Sequence, residues 1–315
     1  MVKRVHDNEQ RPMRRVLITG AASGIGLEAA VQLGARGDHI IVADRNAAGG
    51  TATAQRITES GGSAEFRALD LADQSRIRSF ADDEVARGEP LDVLINNAGL
   101  LPPMERATTR DGFELMFGIC HLGHFALTGL LLPALLRSER PRVVSVSSMS
   151  HSGGHIDFND LQFERNYASA RAYAGTKLAC LMFALELQRR AEAAGSKLIS
   201  VGAHPGVAAT PIATGWKQEN RRKLRDRFEL IAYNVFIGLF GQTAEEGAQP
   251  LVYAATGQDV VGGGYYGPTG FKQMSGKPGR VQPAARALDA AAAARLWEES
   301  QRITGVGYGL LASPS

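Results

Sequence analysis

Arg15-Val16-Leu17-Ile18-Thr19-Gly20-Ala21-Ala22-Ser23-Gly24-Ile25-Gly26 is the stretch on which the reading of the chain turns. Its opening run of branched apolar residues predicts a strand. The residues from about Leu27 to Arg36 predict a helix. Between them lie three glycines in the spacing G-x-x-x-G-x-G. A strand, a glycine turn and a helix start, in that order, make a site for a dinucleotide phosphate. Glycines let the backbone approach the pyrophosphate, and a helix N-terminus offers unpaired N–H groups and a partial positive charge. Gly20, Ser23, Gly24, Ile25 and Gly26 are the candidate contacts.

Working outward, His39 to Ala43 predicts a second strand that ends at Asp44-Arg45. An acidic residue about 20 positions past the glycines accepts hydrogen bonds from ribose hydroxyls, and it also repels a 2′-phosphate. Arg45 pulls the other way, since a guanidinium there can pair with that phosphate or stack on the adenine. Asp44 comes first after the strand, so NAD is expected ahead of NADP. Ala64 to Leu69 predicts a third strand leading into Asp70-Leu71, and Leu91 to Ile95 a fourth leading into Asn96-Asn97-Ala98-Gly99. Arg142 to Ser147 predicts a fifth strand, which delivers Ser148 to its end. Leu198 to Ala203 predicts a sixth, ahead of His204-Pro205-Gly206-Val207 and Thr210. Helical patterns intervene, notably Gln74 to Arg87, Arg110 to Leu136 and Arg171 to Ala194. This alternation implies an α/β fold with a parallel sheet covered on both faces. Ligands on such sheets gather beyond the carboxyl ends of the strands. The glycine turn, Asp44, Asp70 and Asn97 all lie at such ends.

The chemistry points to Tyr173-Ala174-Gly175-Thr176-Lys177. Residues four apart on a helix share a face. A lysine ammonium held near a phenol favours the phenolate, and such a phenol can exchange a proton with an alcohol oxygen near neutral pH. Ser148 would hold that oxygen by a hydrogen bond. His121 and His124 are three apart on a predicted helix, but no third ligand is spaced to join them. They are expected to be packed or hydrogen-bonded, and no metal is expected.

Formal net charge is +3 on 315 residues, from 35 basic and 32 acidic side chains. That balance gives no nucleic-acid surface. Much of the excess falls in the first fifteen residues, read as a flexible basic tail over 1–14. The core is read as 15–305 and a C-terminal tail as 306–315. Two cysteines, Cys120 and Cys180, fit a reducing cytosol and not a disulfide scaffold. No stretch is expected to reach the roughly 20 apolar residues of a membrane span, so the expectation is a cytoplasmic protein with no integral membrane segment.

In sum of motifs, the chain resembles the short-chain dehydrogenase/reductases, in the branch that includes retinol dehydrogenases and protochlorophyllide reductases. The turn around Gly20–Gly26, Asp70-Leu71, Asn96-Asn97-Ala98-Gly99, the set Ser148, Tyr173 and Lys177, and His204-Pro205-Gly206-Val207 with Thr210 carry the likeness. Gly262 to Pro268 and Ala294 to Trp297 extend it. The resemblance implies a Rossmann-type, doubly wound single domain with a small helical lid over about 211–241. It implies an NAD(P)-dependent oxidoreductase acting on a lipophilic alcohol, aldehyde or ketone. A dinucleotide-binding sensor with little catalysis is the alternative. Tyr173 would be the acid/base, Ser148 the oxygen holder, and Lys177 would act on Tyr173 and bind the nicotinamide ribose. Asp70 would meet the adenine, Asn97, Ala98 and Gly99 the adenosine side, and Thr210 the carboxamide, with Pro205, Gly206 and Val207 beside it.

Where the family usually has an asparagine in an Asn-His-x-Gly-His context, this chain has Cys120. The proton-relay role attached to that asparagine is therefore open here, although a backbone carbonyl at the same place needs no particular side chain. In the lid, Lys217, Arg221, Arg222, Lys223, Arg225 and Arg227 precede an apolar run from Leu230 to Phe240. A helix pair closing the substrate pocket is expected, with a membrane-surface helix as the alternative. The separation of Ser148 and Tyr173 is long, and the extra residues His151 to Ala170 could cover a face that many relatives use to form tetramers. The oligomeric state stays open, with a homodimer to consider.

Overall fold

The computed structural model of the chain describes residues 13–165, 167–207 and 242–311. Eight strands form one sheet in the order β3-β2-β1-β4-β5-β6-β7-β8. They are β1 (Arg15–Thr19), β2 (His39–Asp44), β3 (Ser63–Ala68), β4 (Val93–Asn96), β5 (Arg142–Val146), β6 (Ile199–Ala203), β7 (Tyr265–Pro268) and β8 (Pro278–Arg280). The first seven pair in parallel, and β8 runs antiparallel to β7. The chain winds outward from β1 in one direction through β3 and, after β3, crosses back to build the other half from β4. The strand order therefore reverses between β1 and β4, where a crevice forms at the carboxyl ends.

Strand side chains alternate between faces, and the core divides accordingly. Leu17, Ile41, Leu94 and Val143 pack to one side, with residues of α3 (Gln74–Ala86), α5 (His124–Leu135) and α6 (Ser169–Ala193). Val16, Ile18, Ile40, Val42, Val93 and Ile95 pack to the other, with α1 (Gly24–Gly34) and α7 (Ala244–Thr256). Strands buried on both faces read as continuous apolar runs, which is why β1, β2, β4 and β5 are legible in the sequence. Helix starts are fixed locally. Asn46 caps α2 (Ala47–Glu59), Asp73 caps α3, and Thr243 with Glu246 forms a reciprocal capping box on α7.

Three expectations need correction. The predicted helix from Arg110 to Leu136 is broken. Residues 108–114 form a turn closed by a Thr108–Glu114 bridge, and the buried Glu114 carboxylate caps the one-turn α4 (Leu115–Phe117). A π-helical turn follows over Gly118–Gly123 before α5 begins. Second, Leu115–Leu135 is long and apolar enough to cross a membrane by length and composition, contrary to the reading that no stretch is. The fold uses it as a core helix, with 83% of its apolar window buried. Third, packing continues beyond 305. Gly305 ends α8 (Ala290–Thr304) in the left-handed conformation, φ 65°, and Val306, Tyr308 and Leu311 are then buried in the core. The Tyr308 hydroxyl donates to the Phe125 carbonyl at 2.6 Å. The basic tail was expected over 1–14, but Arg14 is held by an ion pair to the buried Asp38 at 2.7 Å; residues 1–12, Thr210 and the lid over 211–241 lie outside the described residues.

Candidate active site

The glycine turn leaves β1 and enters α1 with Gly20 at φ 68° and Gly24 at φ 58°, values that L side chains rarely adopt. Space is as restrictive as conformation. A Cβ on Gly20 would lie 2.7 Å from the Ala98 Cα, and one on Gly26 would strike the Gly20 carbonyl and the Asn97 amide. Ser23 stands at the N-cap of α1 and its side chain caps no backbone N–H. The N-terminal amides of α1 thus remain available to an anion. The turn fits a dinucleotide pyrophosphate on these observations of shape and donors.

Thr19, which the sequence reading did not single out, organises the turn. Its hydroxyl oxygen accepts the Asn97 and Ala98 backbone N–H groups, both at 2.9 Å. The Asn97 side-chain amide donates to the Thr19 carbonyl at 2.8 Å and to that of Gly20 at 3.3 Å. Asn97 therefore braces the glycine turn, while Gly99 at the next bend is exposed. Asp44 ends β2 beside the turn. Its carboxylate accepts from the Ala22 N–H at 3.0 Å and the Asn46 N–H at 2.9 Å, and Arg45 is exposed next to it. Asp70 accepts from the Ala72 N–H at 2.9 Å, and Leu71 is buried. These residues all lie at or just beyond the carboxyl ends of β1, β2, β3 and β4. Gly206 makes the bend after β6 at φ 73°. Gln242 fastens that bend by donating to the Pro205 and Met274 carbonyls, and Val207 N–H also reaches Met274.

Ser148, Tyr173 and Lys177 converge from β5 and α6. Ser148 caps a 3-10 turn over Met149–Gly153, its hydroxyl oxygen accepting the Ser150 N–H at 3.2 Å. That bond uses a lone pair and leaves the hydroxyl proton free for an incoming oxygen. The neighbouring Ser147 hydroxyl donates to the Lys177 carbonyl at 2.7 Å, which fixes α6 against the end of β5. Tyr173 is half-buried. Lys177 is buried below it, with Nζ 6.0 Å from the Tyr173 ring centroid and donating to the Val146 carbonyl at 3.2 Å. Burial pulls the Lys177 ammonium down. The charges that Cys120, Tyr173 and Cys180 can carry together outweigh burial, so it lies above the ordinary lysine value.

Cys120 sits in the π turn on the same side. A Cβ on Gly99 would lie 3.6 Å from the Cys120 sulfur and 3.7 Å from Lys177 Nζ. Burial pushes the Cys120 thiol up, against the pull of the Lys177 charge and the Leu100 N–H. Its carbonyl accepts from His124 Nδ1 at 2.9 Å and from the Cys180 sulfur at 3.1 Å. Both lone pairs of that carbonyl are therefore in use, contrary to the expectation that it stands free to hold a relay water. His124 Nε2 accepts from the Thr19 hydroxyl at 2.8 Å. His121 Nε2 meets the Ser300 hydroxyl at 2.8 Å. Both histidines are hydrogen-bonded core residues, as expected.

This crevice is the candidate cofactor and catalytic face of a Rossmann-type fold. The chain matches the short chain dehydrogenase family over residues 14–221. It belongs to that family, in the branch of the retinol dehydrogenases, and is an NAD(P)-dependent oxidoreductase acting on CH–OH groups. It is 38% identical to retinol dehydrogenase 13 of Homo sapiens over 303 residues, covering 94% of this chain and 86% of that protein. It is 40% identical to polyprenol dehydrogenase of Mus musculus over 309 residues, covering 95% and 86%. Among solved structures, an uncharacterized protein from Mycobacterium paratuberculosis superposes with a TM-score of 0.75 at 40% identity, covering 94% of each chain. A variant of actinorhodin polyketide ketoreductase with NADPH gives 0.62 at 25% identity, covering 80% of this chain and 94% of that one.

Proposed function

We propose that this enzyme interconverts a lipophilic alcohol and its aldehyde or ketone, with Tyr173 as acid/base, Ser148 as holder of the reacting oxygen and Lys177 as the charge behind Tyr173. The observation that carries the reading is their convergence. A half-buried phenol lies over a buried lysine ammonium, and the turn that begins at Ser148 packs on the same helix beside it, at Ala174. The nicotinamide, when bound, supplies or accepts the hydride. The chain handles the proton. In the oxidising direction Ser148 holds the alcohol oxygen, and the Tyr173 phenolate takes the hydroxyl proton as the C–H bond breaks. In the reducing direction the phenol returns it. Lys177 stands behind the ring, Nζ 6.0 Å from its centroid. Thr210 and the Pro205–Val207 bend are the proposed carboxamide side of the cofactor site.

The lipophilic substrate is supported by the names of the relatives, which act on retinol and polyprenol, and by the apolar run from Leu230 to Phe240. For the cofactor we favour NAD. An ionised carboxylate offers about four acceptor sites. Asp44 uses two on backbone N–H groups and retains the others for ribose hydroxyls. Free, buried thiols at Cys120 and Cys180 support a reducing, cytoplasmic setting.

A panel of retinoid, polyprenoid, aliphatic and steroid alcohols and carbonyls, each with NAD and NADP, tests the function. Turnover on some member is expected, and its absence across the panel overturns the reading. Binding of NADP tenfold tighter than NAD overturns the Asp44 assignment. Tyr173→Phe keeps the ring and removes the proton donor. Its turnover should fall by about 10²–10⁴-fold, the usual cost of losing general acid–base catalysis, with cofactor affinity retained. A fall of less than threefold assigns the proton to another group.

A further inference from the structure

Behind Ser148 lies a buried side chain that the mechanism above does not use. His151 ends the first turn after Ser148 and is 4% exposed. Its Nδ1 lies 2.6 Å from the Ser148 carbonyl oxygen, which can only accept. Its Nε2 lies 3.0 Å from the backbone N–H of Ala284, which can only donate. The two partners leave one arrangement, a neutral ring with the proton on Nδ1 and the lone pair on Nε2. The ring also stands edge-on to Tyr265, centroids 5.2 Å apart at 79°, and the Tyr265 hydroxyl lies 3.4 Å from both the Ser148 carbonyl and Nδ1.

Ser148 is therefore gripped at its hydroxyl and at its carbonyl. The Ser150 N–H holds the hydroxyl oxygen, while the carbonyl accepts from the His151 backbone N–H at 3.0 Å and, more closely, from the His151 ring at 2.6 Å. Together they fix the extended Ser148 backbone, φ −154° and ψ 159°, and with it the direction in which the free hydroxyl proton can point. The other side of the ring ties this turn to the segment before α8. Arg286 reinforces the tie by donating to the Gly154 carbonyl.

We infer that His151 is a positioning residue for Ser148, holding the serine hydroxyl on line through the Ser148 carbonyl and anchoring that hold on the Ala284 N–H. The inference rests on the reading that Ser148 holds the reacting oxygen. Misplacement by about 1 Å can cost on the order of 10²-fold in rate, so a loosened Ser148 should be visible in turnover.

The test uses three variants of the full chain, with the panel alcohol that turns over fastest and its preferred cofactor. The amide nitrogen of asparagine reaches about where Nδ1 lies. His151→Asn should therefore keep a donor for the Ser148 carbonyl and stay within threefold of the parent in kcat/KM, even if its melting temperature falls. The glutamine carbonyl reaches about where Nε2 lies, so His151→Gln keeps the Ala284 bond and gives up the Ser148 one. It should lose tenfold or more in kcat/KM, with cofactor Kd within twofold. Ala284→Pro leaves the histidine itself unchanged and removes its anchor. Ala284 has φ −64°, a value proline adopts, but the ring Cδ takes the place of the N–H that lies 3.0 Å from Nε2 and pushes the imidazole off its position. The hold on the Ser148 carbonyl is thereby loosened, and turnover should drop at least threefold in a protein that stays folded.

A ¹⁵N spectrum of histidine-labelled parent protein reads the same point without activity. It should give His151 as the Nδ1–H tautomer at neutral pH, and an Nε2–H tautomer overturns the inference. Equal turnover in all folded variants also overturns it. Ser148→Ala, run alongside, separates the two ideas. If it leaves turnover intact, the role of Ser148 is wrong. If it abolishes turnover while His151→Gln and Ala284→Pro do not, only the role of His151 is wrong.

Discussion

Cys120 is the residue at which this chain departs from the pattern it otherwise follows, and the structure says what the departure does. The thiol faces Gly99 and the surroundings of Lys177 Nζ, while the backbone carbonyl is taken up by His124 and Cys180. Neither the side chain, a weak donor and acceptor, nor the saturated carbonyl is suited to hold a water next to the lysine. Cys120→Asn would place a strong acceptor and donor there, within reach of the Leu100 N–H that now meets the sulfur. Turnover should stay level or rise, most visibly at low pH, where releasing a proton to solvent is hardest. A pH profile of kcat for the two proteins checks this. If the variant folds and binds cofactor yet turns over at less than a tenth of the parent rate, the pocket depends on the thiol itself.

At the scale of elements, the site depends on how closely the serine turn lies against α6. Gly154 makes that approach. A Cβ there would strike the Ala174 carbonyl, next to Tyr173, and lie 2.8 Å from the Leu178 Cβ. Gly153, one residue earlier, has nothing among the described residues within 4 Å of the same construction. Gly154→Ala should therefore push the turn off the helix, costing about 1–3 kcal/mol of stability as overpacking does and lowering kcat by about tenfold or more through misplaced Ser148. Gly153→Ala is the control and should change neither melting temperature nor kcat. Matching losses in both would point to turn flexibility and not to this contact. Much of the element pattern was legible. Apolar runs gave β1, β2, β4, β5 and β6, and each carried its site residue to the strand end. What stayed hidden depends on partners distant in sequence. Tyr265-Tyr266-Gly267-Pro268 and Pro278-Gly279-Arg280 become β7 and β8 only by pairing with each other and with β6, against the depletion of glycine and proline in strands. The π turn at Gly118–Gly123 is set by packing, since a Cβ on Gly123 would lie 2.9 Å from the Leu71 carbonyl oxygen. Thr19 and His151 act through backbone groups of other elements, which no spacing announces. The Thr243–Glu246 box, by contrast, was a local signal that could have marked α7.

For the molecule as a whole, the buried histidines join catalytic architecture to stability. His121 and His124 hold the π turn to α8 and β1, and His204 packs on Tyr265 below the bend after β6. Burial is the main cause that lowers all three. His121 falls to about 3, with the His124 charge adding to the effect. His124 falls to about 4, burial outweighing its bond to the Cys120 carbonyl. His204 also falls to about 4, with the His151 charge adding. An unfolded chain would protonate the same rings near 6.5. Between that value and the folded ones, the unfolded state binds more protons, so stability rises with pH across the window and falls as pH drops through it. The contribution is complete above about pH 6.5 and is lost progressively toward pH 4 and below. Each ring is worth about 1.4 kcal/mol per pH unit within the window, so three titrating together remove about 4 kcal/mol per unit. Set against a typical folding stability of about 5–15 kcal/mol, this should unfold the protein between about pH 4 and pH 5. Urea denaturation at pH 7.5, 6.0 and 5.0 checks it. The midpoint should be nearly flat from 7.5 to 6.5 and drop steeply below 6, and His204→Gln should make that drop shallower. A midpoint unchanged down to pH 5 would mean that these rings take up protons in the folded chain as readily as in the unfolded one, and that their burial does not set the acid limit of the fold.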